Sequence, residues 1–557
     1  MTFLRMRPPQ PIGATQDAWD AAAIVLAFAL PLVVLRPLAD VPFVDDWVYA
    51  WSVQHLLATG RLELLEWSSN WNPAQVVWGA LFCLPGGFSF SALRLSTWAL
   101  GAAGLVGLQR LLRELGVARE PALLGTATLA CHPLWIVLSF TFMTDVPFAA
   151  VSIWAALAAV RALRSGRVRA LAAAVALATV ACAIRLVGVV LPVALAASIV
   201  AHREPWDRRH GGRGVPLAAL VALAPLAVVA ADLLFGRALV VSPIDVSSIP
   251  SAPTMRWALL PWAIPAAPRT LPVGAAFAAT FVGVALLPLT AGSVDSRIRR
   301  RALGLGAAVA ALFAACDALA ALAPPLFGNA TWTIAELGAT APLVAGYEAP
   351  AVPAWAWLAA IAASLSAGVW LAWVARRPRD AARAFLALLL LGHVGLIVLL
   401  WLFYDRYGLV LIAPAIALLL AAGARPRRGV AIALAGAMAL AGLGGVRDHL
   451  ALSRALWGGV AWLREHGASP SEIDGGYVVN GWVQYAHPEN APRDAIGRPF
   501  VPDLTVSRGE LRYQLALRPL DGWRVLARLP FERRLAPDGE ILVLERERPD
   551  AVSPAAR

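Results

Sequence analysis

Apolar stretches dominate the chain from residue 19 to residue 446, and short polar or basic loops separate them. A helix needs about 20 apolar residues to cross the hydrocarbon core of a membrane. The pattern therefore predicts an all-α, multi-pass bundle of about thirteen spans. The predicted spans are Trp19–Ala39, Ser91–Leu112, Pro121–Phe140, Val146–Leu163, Ala170–Ile184, Leu186–Ala201, Val215–Phe235, Leu271–Ala291, Ala302–Ala323, Pro353–Ala375, Ala384–Phe403, Gly408–Ala422 and Val430–Val446.

One further apolar segment, Pro73–Phe90, is predicted to lie along or partway into the membrane. Pro85-Gly86-Gly87 interrupts it, and a full crossing would place the basic run Arg110–Arg119 and every later basic cluster outside. Without that crossing, the arginine clusters all fall in inner loops, as the positive-inside rule requires. The N-terminus is then cytoplasmic, and the outer loops are 40–72, 141–145, 236–270, 324–352 and 404–407.

The last part of the chain, 447–557, differs in kind from residues 1–446. It is charged and turn-rich, and it has no apolar run of 18 residues. The pattern predicts a boundary at 446/447, with a small α/β domain on the outer face following the membrane domain. "WLREHG" predicts a helix that ends at Gly467, and "GGYVVNGW" and "EILVLERE" predict strands.

Composition agrees with a membrane protein. The chain is 59% hydrophobic and 15% charged, which excludes an ordinary soluble or disordered protein, and four cysteines in 557 residues exclude a disulfide scaffold. The net charge is +12, and all 47 basic residues are arginine, a usage that points to a GC-rich bacterial genome and hence to a bacterial cell membrane. Residues 447–557 are neutral, so the surplus belongs to the membrane part, and no nucleic-acid partner is predicted.

Three acidic residues are predicted to share the outer rim of the bundle. Asp45 and Asp46 follow the first span, and Asp145 lies between an outward and an inward span. A desolvated carboxylate at a membrane surface is costly unless a cation, a metal or a substrate accompanies it. The two interpretations left open are a chemical site and solvated loop charges or helix caps.

Two arginines depart from the inside bias of the others. Arg185 separates two short apolar runs near an outer turn, and Arg406 lies in the outer turn "LFYDRYGL". A guanidinium group can bind a phosphate through two parallel hydrogen bonds. The alternatives are a pair with Asp405 or contact with lipid headgroups, and Arg94 and Arg61 are weaker candidates.

Other chemistry has little support in the sequence. His55 and His393 each lack a second ligand at metal spacing, so both are interpreted as core or interface residues. No nucleotide-binding, zinc-protease or acyl-serine motif is present. Asp232 and Asp317 are exceptions to the otherwise apolar spans.

The order of these features resembles the GT-C membrane glycosyltransferases, among them the family 39 group of protein O-mannosyltransferase-like enzymes and the aminoarabinose transferase of lipid A. The resemblance covers residues 19–201 well and the rest of the chain in layout. It is carried by Asp45-Asp46 with Tyr49, Asn72-Pro73, Arg94 in "FSFSALRLS", Thr144-Asp145-Val146-Pro147, and the turn Tyr404–Tyr407.

The resemblance implies inverting transfer of a sugar from a polyprenyl-phosphate donor to an acceptor at the outer face. It implies that Asp45 is the general base, with Asp46 and Asp145 as further catalytic residues. The substrate-binding residues it implies are Tyr49, Arg94, Arg185, Tyr404 and Arg406. Some relatives have lysine at the position of Asn72, where it meets the donor phosphate, so here Arg185 and Arg406 are the candidate cations. No cofactor is predicted, and a divalent cation is left open.

Two other functions stay open from the sequence. A transporter or flippase of lipid-linked sugars would have inverted repeats and polar residues near the middle of the bilayer, and neither stands out. A non-catalytic scaffold for the outer domain would not need the three acids on one rim. The outer domain is predicted to recognise the acceptor, whose class (glycan, lipid or protein) the sequence does not reveal.

Overall fold

The computed structural model describes residues 14–35, 39–43, 45–65, 68, 71–241, 271–272, 274–320, 344–346, 354–376, 380–399, 405–483, 511–535 and 537–547. Most of these residues are helical, and each of the thirteen predicted spans has a helix at its position. The helices of the bundle are Ala14–Leu35, Phe90–Glu114, Arg119–Ala130 with Pro133–Ser139, Asp145–Ser165, Val168–Ile184, Leu186–Ala201, Gly214–Leu239, Gly274–Thr290, Arg299–Ala320, Ala354–Val374, Ala381–Leu399, Leu409–Ala421 and Arg428–Glu465.

Fewer than thirteen of the described helices meet the criteria of both length and hydropathy for a membrane crossing. Within the described residues, Thr15–Val33, Asp145–Ser165 and Arg428–Glu465 are long and apolar enough to cross a membrane alone. The pair Arg119–Ala130 and Pro133–Ser139, bent by 59°, makes a fourth if it is one broken span. The remaining apolar helices are shorter, so the exact number of crossings stays a prediction, while the predicted membrane-bundle fold is confirmed.

The segment at 73–90 forms a short helix, Pro73–Cys83, of 11 residues. At 1.5 Å per residue such a helix is about 16 Å long, roughly half the thickness of the hydrocarbon core. It is therefore too short to span, which agrees with the predicted partial entry.

Small residues let two central helices of the bundle approach closely. A Cβ atom on Gly104, in Phe90–Glu114, would lie 2.8 Å from the Cβ of Ala150, in Asp145–Ser165. Close backbone approach at small residues is a common basis of helix packing in membranes. This contact fixes the helix that carries Arg94 relative to the helix that begins at Asp145.

The loop 40–72, which is predicted to lie outside, contains a helix, Asp46–Thr59, called here the loop helix. After it, β1 (Leu64–Leu65) pairs in parallel with β2 (Val240–Val241). In addition, the Ser52 hydroxyl accepts a hydrogen bond of 3.1 Å from the backbone N–H of Leu65. The loop is therefore a folded element attached to the bundle.

The described residues of the C-terminal part form a four-stranded sheet at the end of the helix Arg428–Glu465, called here the long helix. The strand order is β3-β4-β6-β5, with β3–β4 parallel and the other two pairs antiparallel. Leu456, Val460 and Leu463 of the long helix pack on this sheet and form a core separate from that of the bundle. The strands are β3 (Ile473–Asp474), β4 (Tyr513–Ala516), β5 (Trp523–Phe531) and β6 (Gly539–Arg546).

Two local predictions in this domain are confirmed and one is wrong. The long helix ends at Glu465, two residues before Gly467, and "EILVLERE" lies in β6. "GGYVVNGW", however, forms a helix, Tyr477–Val483, called here the contact helix. The Asp474 and Asn480 side chains accept hydrogen bonds from the N–H groups of Gly476 and Gly475, and this local bonding outweighs the β-propensity of the two valines.

The predicted boundary at 446/447 falls inside the long helix, which runs unbroken from the bundle to the sheet. At this junction the Asp448 carboxylate accepts hydrogen bonds of 2.6 and 2.8 Å from the N–H groups of Arg534 and Leu535. The C-terminal domain, which the sequence predicts to be soluble and which is called here the soluble domain, is thus joined to the bundle by a continuous helix and by hydrogen bonds to Asp448 on that helix. The division of the chain at that residue stays a prediction.

Candidate active site

Asp45 and Arg406 form an ion pair between the outer loop and a late turn of the bundle. Asp45 lies at the N-cap position of the loop helix, but its side chain makes no capping hydrogen bond. Its Oδ2 instead lies 2.9 Å from the Nη1 of Arg406, in the 3₁₀ turn Asp405–Gly408. The two side chains are 16% and 9% exposed, so the pair is largely desolvated but still reachable.

Asp145 and Arg185 form a second, more buried ion pair. Asp145 is the first residue of its helix, and Arg185 lies in extended conformation where Val168–Ile184 ends and the 3₁₀ turn Leu186–Val189 begins. The Nη1 of Arg185 donates a hydrogen bond to the Oδ1 of Asp145. A break between two short helices thus holds the guanidinium group beside Asp145, at one end of the bundle.

Tyr407 joins the two ion pairs. The Cζ of Arg185 lies 4.5 Å from the centroid of the Tyr407 ring, and the Cζ of Arg406 lies 5.6 Å from it. Both distances fall within the range of cation–π attraction. Two arginines that are far apart in the sequence therefore converge on one aromatic ring.

The pKa of Tyr49, in the first turns of the loop helix, depends on the charges of the same residues. Burial and the negative charge of Asp45 raise the pKa of Tyr49 to about 12, although Arg185 and Arg406 act in the opposite direction. The phenol is therefore neutral at physiological pH and able to donate a hydrogen bond.

Asp46 and Arg94 form a third pair that is fully buried. The Nη2 of Arg94 lies 3.5 Å from the Oδ2 of Asp46, and neither side chain is exposed. Arg94 also donates to the carbonyl oxygens of Ala39 and Val41, and its Cζ lies 3.7 Å from the Phe43 ring centroid. These contacts hold the segment before the loop helix in place and leave Arg94 no surface open to a substrate.

The environment of Asp46 favours its neutral form. Burial raises its pKa from 3.8 to about 7, and the opposing influences of Arg94 and of the N–H groups of Phe43 and Phe142 offset only part of that rise. Asp45, next to it in sequence, is partly exposed. The two adjacent aspartates therefore occupy different environments, as is common where carboxyl groups have different roles.

A small cavity adjoins the Asp45–Arg406 and Asp145–Arg185 ion pairs. Its free volume is about 40 Å³, which holds a few water molecules but no sugar ring. Asp145, Arg185, Arg406 and Tyr407 form its polar side. Its apolar side consists of residues from neighbouring helices, among them Phe148, Leu396, Ile397, Leu409 and Val410.

The amide groups of Asn72 and Gln75 are buried at the start of the short helix Pro73–Cys83. None of their side-chain polar atoms has a hydrogen-bond partner among the described residues. Asn72 carries no charge, so it does not replace the lysine of some relatives as a phosphate cation. Its amide retains hydrogen-bonding capacity at that position.

Of the remaining candidates, His393 lines the cavity, and the others lie elsewhere or outside the described residues. His55 lies 2.8 Å from Glu63, and His393 bonds to the carbonyl oxygen of Leu389. Arg61 is exposed. Tyr404 lies outside the described residues, as do the side chains of Asp232 and Asp317.

The described residues do not fit a metal site. They contain no group of three or more His, Cys, Asp or Glu side chains placed to hold an ion. The carboxylates of Asp45 and Asp145 are each already paired with a guanidinium group.

Sequence reasoning treated Tyr407 as the end of a turn and gave His393 no place in the site. The structure puts both at the cavity. The dipeptide Arg406-Tyr407 could have indicated Tyr407, because an aromatic ring next to an arginine in an outer loop can orient its guanidinium group. No sequence signal pointed to His393.

The described residues form a helical bundle with acidic and guanidinium groups gathered at one end, joined to a small C-terminal sheet. This arrangement agrees with the GT-C resemblance predicted from the sequence. Residues 76–231 match the family described as dolichyl-phosphate-mannose-protein mannosyltransferase, which confirms the predicted GT-C resemblance. The matched segment contains Arg94, Asp145 and Arg185 but neither Asp45 nor Arg406. No curated protein matches the chain.

Several solved structures are similar to the chain at low identity. ArnT of Cupriavidus metallidurans bound to undecaprenyl phosphate is 14% identical over 95% of this chain and 98% of its own, with a TM-score of 0.38. The donor-bound protein O-mannosyltransferase complex of S. cerevisiae is 16% identical over 41% of this chain, with a TM-score of 0.33, and the chain covers 34% of its length. AglB of Archaeoglobus fulgidus, with a peptide and a dolichol-phosphate, is 13% identical over 90% of this chain and 70% of its own, with a TM-score of 0.39. Likenesses at this level carry no argument about activity.

Proposed function

We propose that the protein transfers a sugar from a polyprenyl-phosphate donor to an acceptor at the outer face of a bacterial cell membrane, with inversion at the anomeric carbon. The observation that carries this proposal is the convergence of the Asp45–Arg406 and Asp145–Arg185 pairs on Tyr407. The matched family, moreover, is named for a lipid-linked sugar phosphate.

The leaving group requires cations. When the bond between the anomeric carbon and the phosphate oxygen breaks, that oxygen takes the electron pair and negative charge develops on the phosphate. Arg185 and Arg406 supply two guanidinium groups on one side of the cavity, in a largely water-free setting where such stabilisation is strongest. We assign both residues to the donor phosphate.

The acceptor requires a base. Its hydroxyl or amine attacks the anomeric carbon from the face opposite the phosphate, and its proton passes to a carboxylate. Asp45 suits this role because it is the more exposed of the adjacent aspartates and lies against a proposed phosphate cation. Donor binding would draw Arg406 toward the phosphate and release the Asp45 carboxylate for the acceptor.

The other residues take supporting roles. Asp145 orients Arg185, and the neutral phenol of Tyr49 donates a hydrogen bond to the donor or acceptor. We assign Asp46 and Arg94 to positioning, since both are fully buried. The assignment of Tyr404 to substrate binding stays a prediction.

The donor's hydrocarbon chain requires an apolar path, because each buried CH₂ group contributes about 0.8 kcal/mol to membrane anchoring. The apolar side of the cavity, with Leu396, Ile397 and Val410, supplies such a surface beside the two arginines. A phosphate held at that point would leave its lipid tail among the helices and the sugar toward the outer loop.

The proposal is tested with the purified full chain in lipid nanodiscs, a panel of synthetic polyprenyl-phosphate sugars and a panel of acceptors. Mass spectrometry of the product should show transfer, and NMR of its anomeric position should show inversion. Asp45→Asn should lower kcat by about 10²- to 10⁴-fold, the usual contribution of a general base. Asp380→Asn, which alters the carboxylate paired with Arg383, is the control and should retain full activity.

Full transfer by Asp45→Asn would refute the assignment of the base. Movement of the lipid between leaflets without transfer would favour a flippase instead. Absence of both activities across the panels would leave the scaffold interpretation.

A further inference from the structure

The soluble domain contacts the loop helix directly beside the two aspartates. Trp47, which follows Asp46, is fully buried. A Cβ atom on Gly481 of the contact helix would lie only 2.2 Å from the Cε2 of Trp47, so no larger residue fits there without displacing the indole. Tyr477 of the same helix meets the indole edge-on, with ring centroids 6.2 Å apart.

The contact helix is in turn fixed to the sheet. Asn480 donates a hydrogen bond of 2.8 Å from its Nδ2 to the Oδ1 of Asp474, in β3, and accepts one of 2.9 Å from the N–H of Gly475. Asp474 and Asn480 are both buried. A buried, satisfied polar network of this kind restricts the contact helix to one position on the sheet.

The far end of the contact helix reaches the other partner of the buried ion pair. Trp482 stacks on Phe88 at 5.9 Å and meets Phe90 edge-on at 5.1 Å. Phe90 begins the helix that carries Arg94, and Arg94 is the partner of Asp46. One short helix of the soluble domain therefore touches both elements that hold the aspartates.

We propose that Gly481 is a positioning residue, through which the soluble domain sets the place of Asp45 and Asp46 by way of Trp47. This inference rests on the proposed function. A carboxylate acting as a base must be placed accurately, and a displacement of about 1 Å lowers rates by about 100-fold. The soluble domain is then part of the catalytic assembly, in addition to any role in recognising the acceptor.

The first test is Gly481→Ala in the full chain. The added methyl group pushes on Trp47, so kcat should fall by up to about 100-fold. The Kd for a polyprenyl phosphate without sugar should change much less than kcat, because Arg185 lies in another element and is held by Asp145. Gly436→Ala in the long helix is the matched control, since a Cβ atom there meets nothing within 4 Å, and it should retain the kcat of the wild type.

The second test is rescue. Phenylalanine lacks the indole atoms nearest to Gly481, so Trp47→Phe makes room for the methyl group. The double variant Trp47→Phe/Gly481→Ala should recover much of the kcat that Gly481→Ala loses, while Trp47→Phe alone should lose less than Gly481→Ala. Unfolding temperatures measured for all variants separate displacement of Trp47 from general loss of structure.

The outcomes are distinct. A wild-type kcat in Gly481→Ala, or a folded Gly481→Ala variant that Trp47→Phe does not rescue, would overturn the inference and leave the proposed function intact. If Gly481→Ala does not fold, a folded Trp47→Ala variant that keeps the wild-type kcat overturns it. A wild-type protein that transfers no sugar overturns the inference together with the function on which it rests.

Discussion

Arg406 holds Asp45 by an ion pair of 2.9 Å, although almost the entire membrane bundle separates them in the sequence. The same contact joins the proposed phosphate cation to the proposed base. Before donor binding, therefore, each of these groups is neutralised by the other, and a phosphate that attracts Arg406 would also expose Asp45 to the acceptor. This coupling favours a sequence in which the donor binds first.

The first prediction concerns the guanidinium geometry of Arg406. Arg406→Lys keeps the charge but loses the two parallel hydrogen bonds, so the Kd for polyprenyl phosphate should rise by about 10-fold, and Arg406→Gln should raise it by about 100-fold. Equilibrium binding of the lipid to nanodiscs measures this. Arg161→Gln, which removes a guanidinium paired with Glu114, is the control and should bind like the wild type. Unaltered binding by Arg406→Gln would contradict the assignment.

The second prediction concerns the ring of Tyr407. Both guanidinium groups lie against this ring, and a cation–π contact contributes about 0.5–2 kcal/mol. Tyr407→Phe keeps the ring and should bind the donor nearly as the wild type does, whereas Tyr407→Leu should raise its Kd by about 10-fold. Equal losses in the two variants would point to the hydroxyl group as the important part of the side chain.

The sequence predicted this site in part. The apolar pattern predicted where the helices of the bundle lie. The positive-inside bias drew attention to Arg185 and Arg406, because these two arginines are exceptions to it. Sequence could not give the pairing of Arg406 with Asp45, because such a contact depends on how each helix is rotated against its neighbours. It also gave Arg94 a substrate-binding role, whereas the structure surrounds it with the carbonyl groups of Ala39 and Val41.

The secondary structure of the contact helix was predicted wrongly, for a different reason. "GGYVVNGW" has the composition of a strand, and the deciding interaction is between the side chains of Asp474 and Asn480. Local propensity is a weak indicator where a buried hydrogen-bond network selects the conformation. The contact with Trp47 follows from that helix, so no sequence pattern could have indicated it.

The third prediction concerns pH. Burial raises the pKa of Asp46 from 3.8 to about 7, so between these values the folded protein binds a proton that the unfolded chain does not. The contribution of Asp46 to stability is therefore fully present below about pH 4 and is lost as pH rises through about 7. The unfolding temperature of Asp46→Asn should fall less than that of the wild type over this range.

A matched control for this experiment is Glu545→Gln in the soluble domain. Hydrogen bonding from Arg524 lowers the pKa of Glu545, so the stability that Glu545 contributes is present above its ordinary pKa of 4.5 and is lost only as pH falls. Glu545→Gln should therefore keep the wild-type slope between pH 5 and pH 7. If Asp46→Asn also kept that slope, the buried carboxyl would not be its source.

The fourth prediction concerns orientation. Asp145 and Arg164 lie near opposite ends of one 21-residue helix, so the site and the basic loop after it are predicted on opposite sides of the membrane. Thr59, at the end of the loop helix, and Arg169, just after the basic end of the 21-residue helix, are both exposed. In a variant whose four native cysteines are replaced, Thr59→Cys should react with an impermeant maleimide in intact cells, and Arg169→Cys only after permeabilisation. Labelling of both positions in intact cells, or the reverse pattern, would refute the outer location of the site. Asp45 and Thr59 belong to the same predicted outer loop, so the side of the membrane on which Thr59 lies is also the side from which the acceptor reaches Asp45.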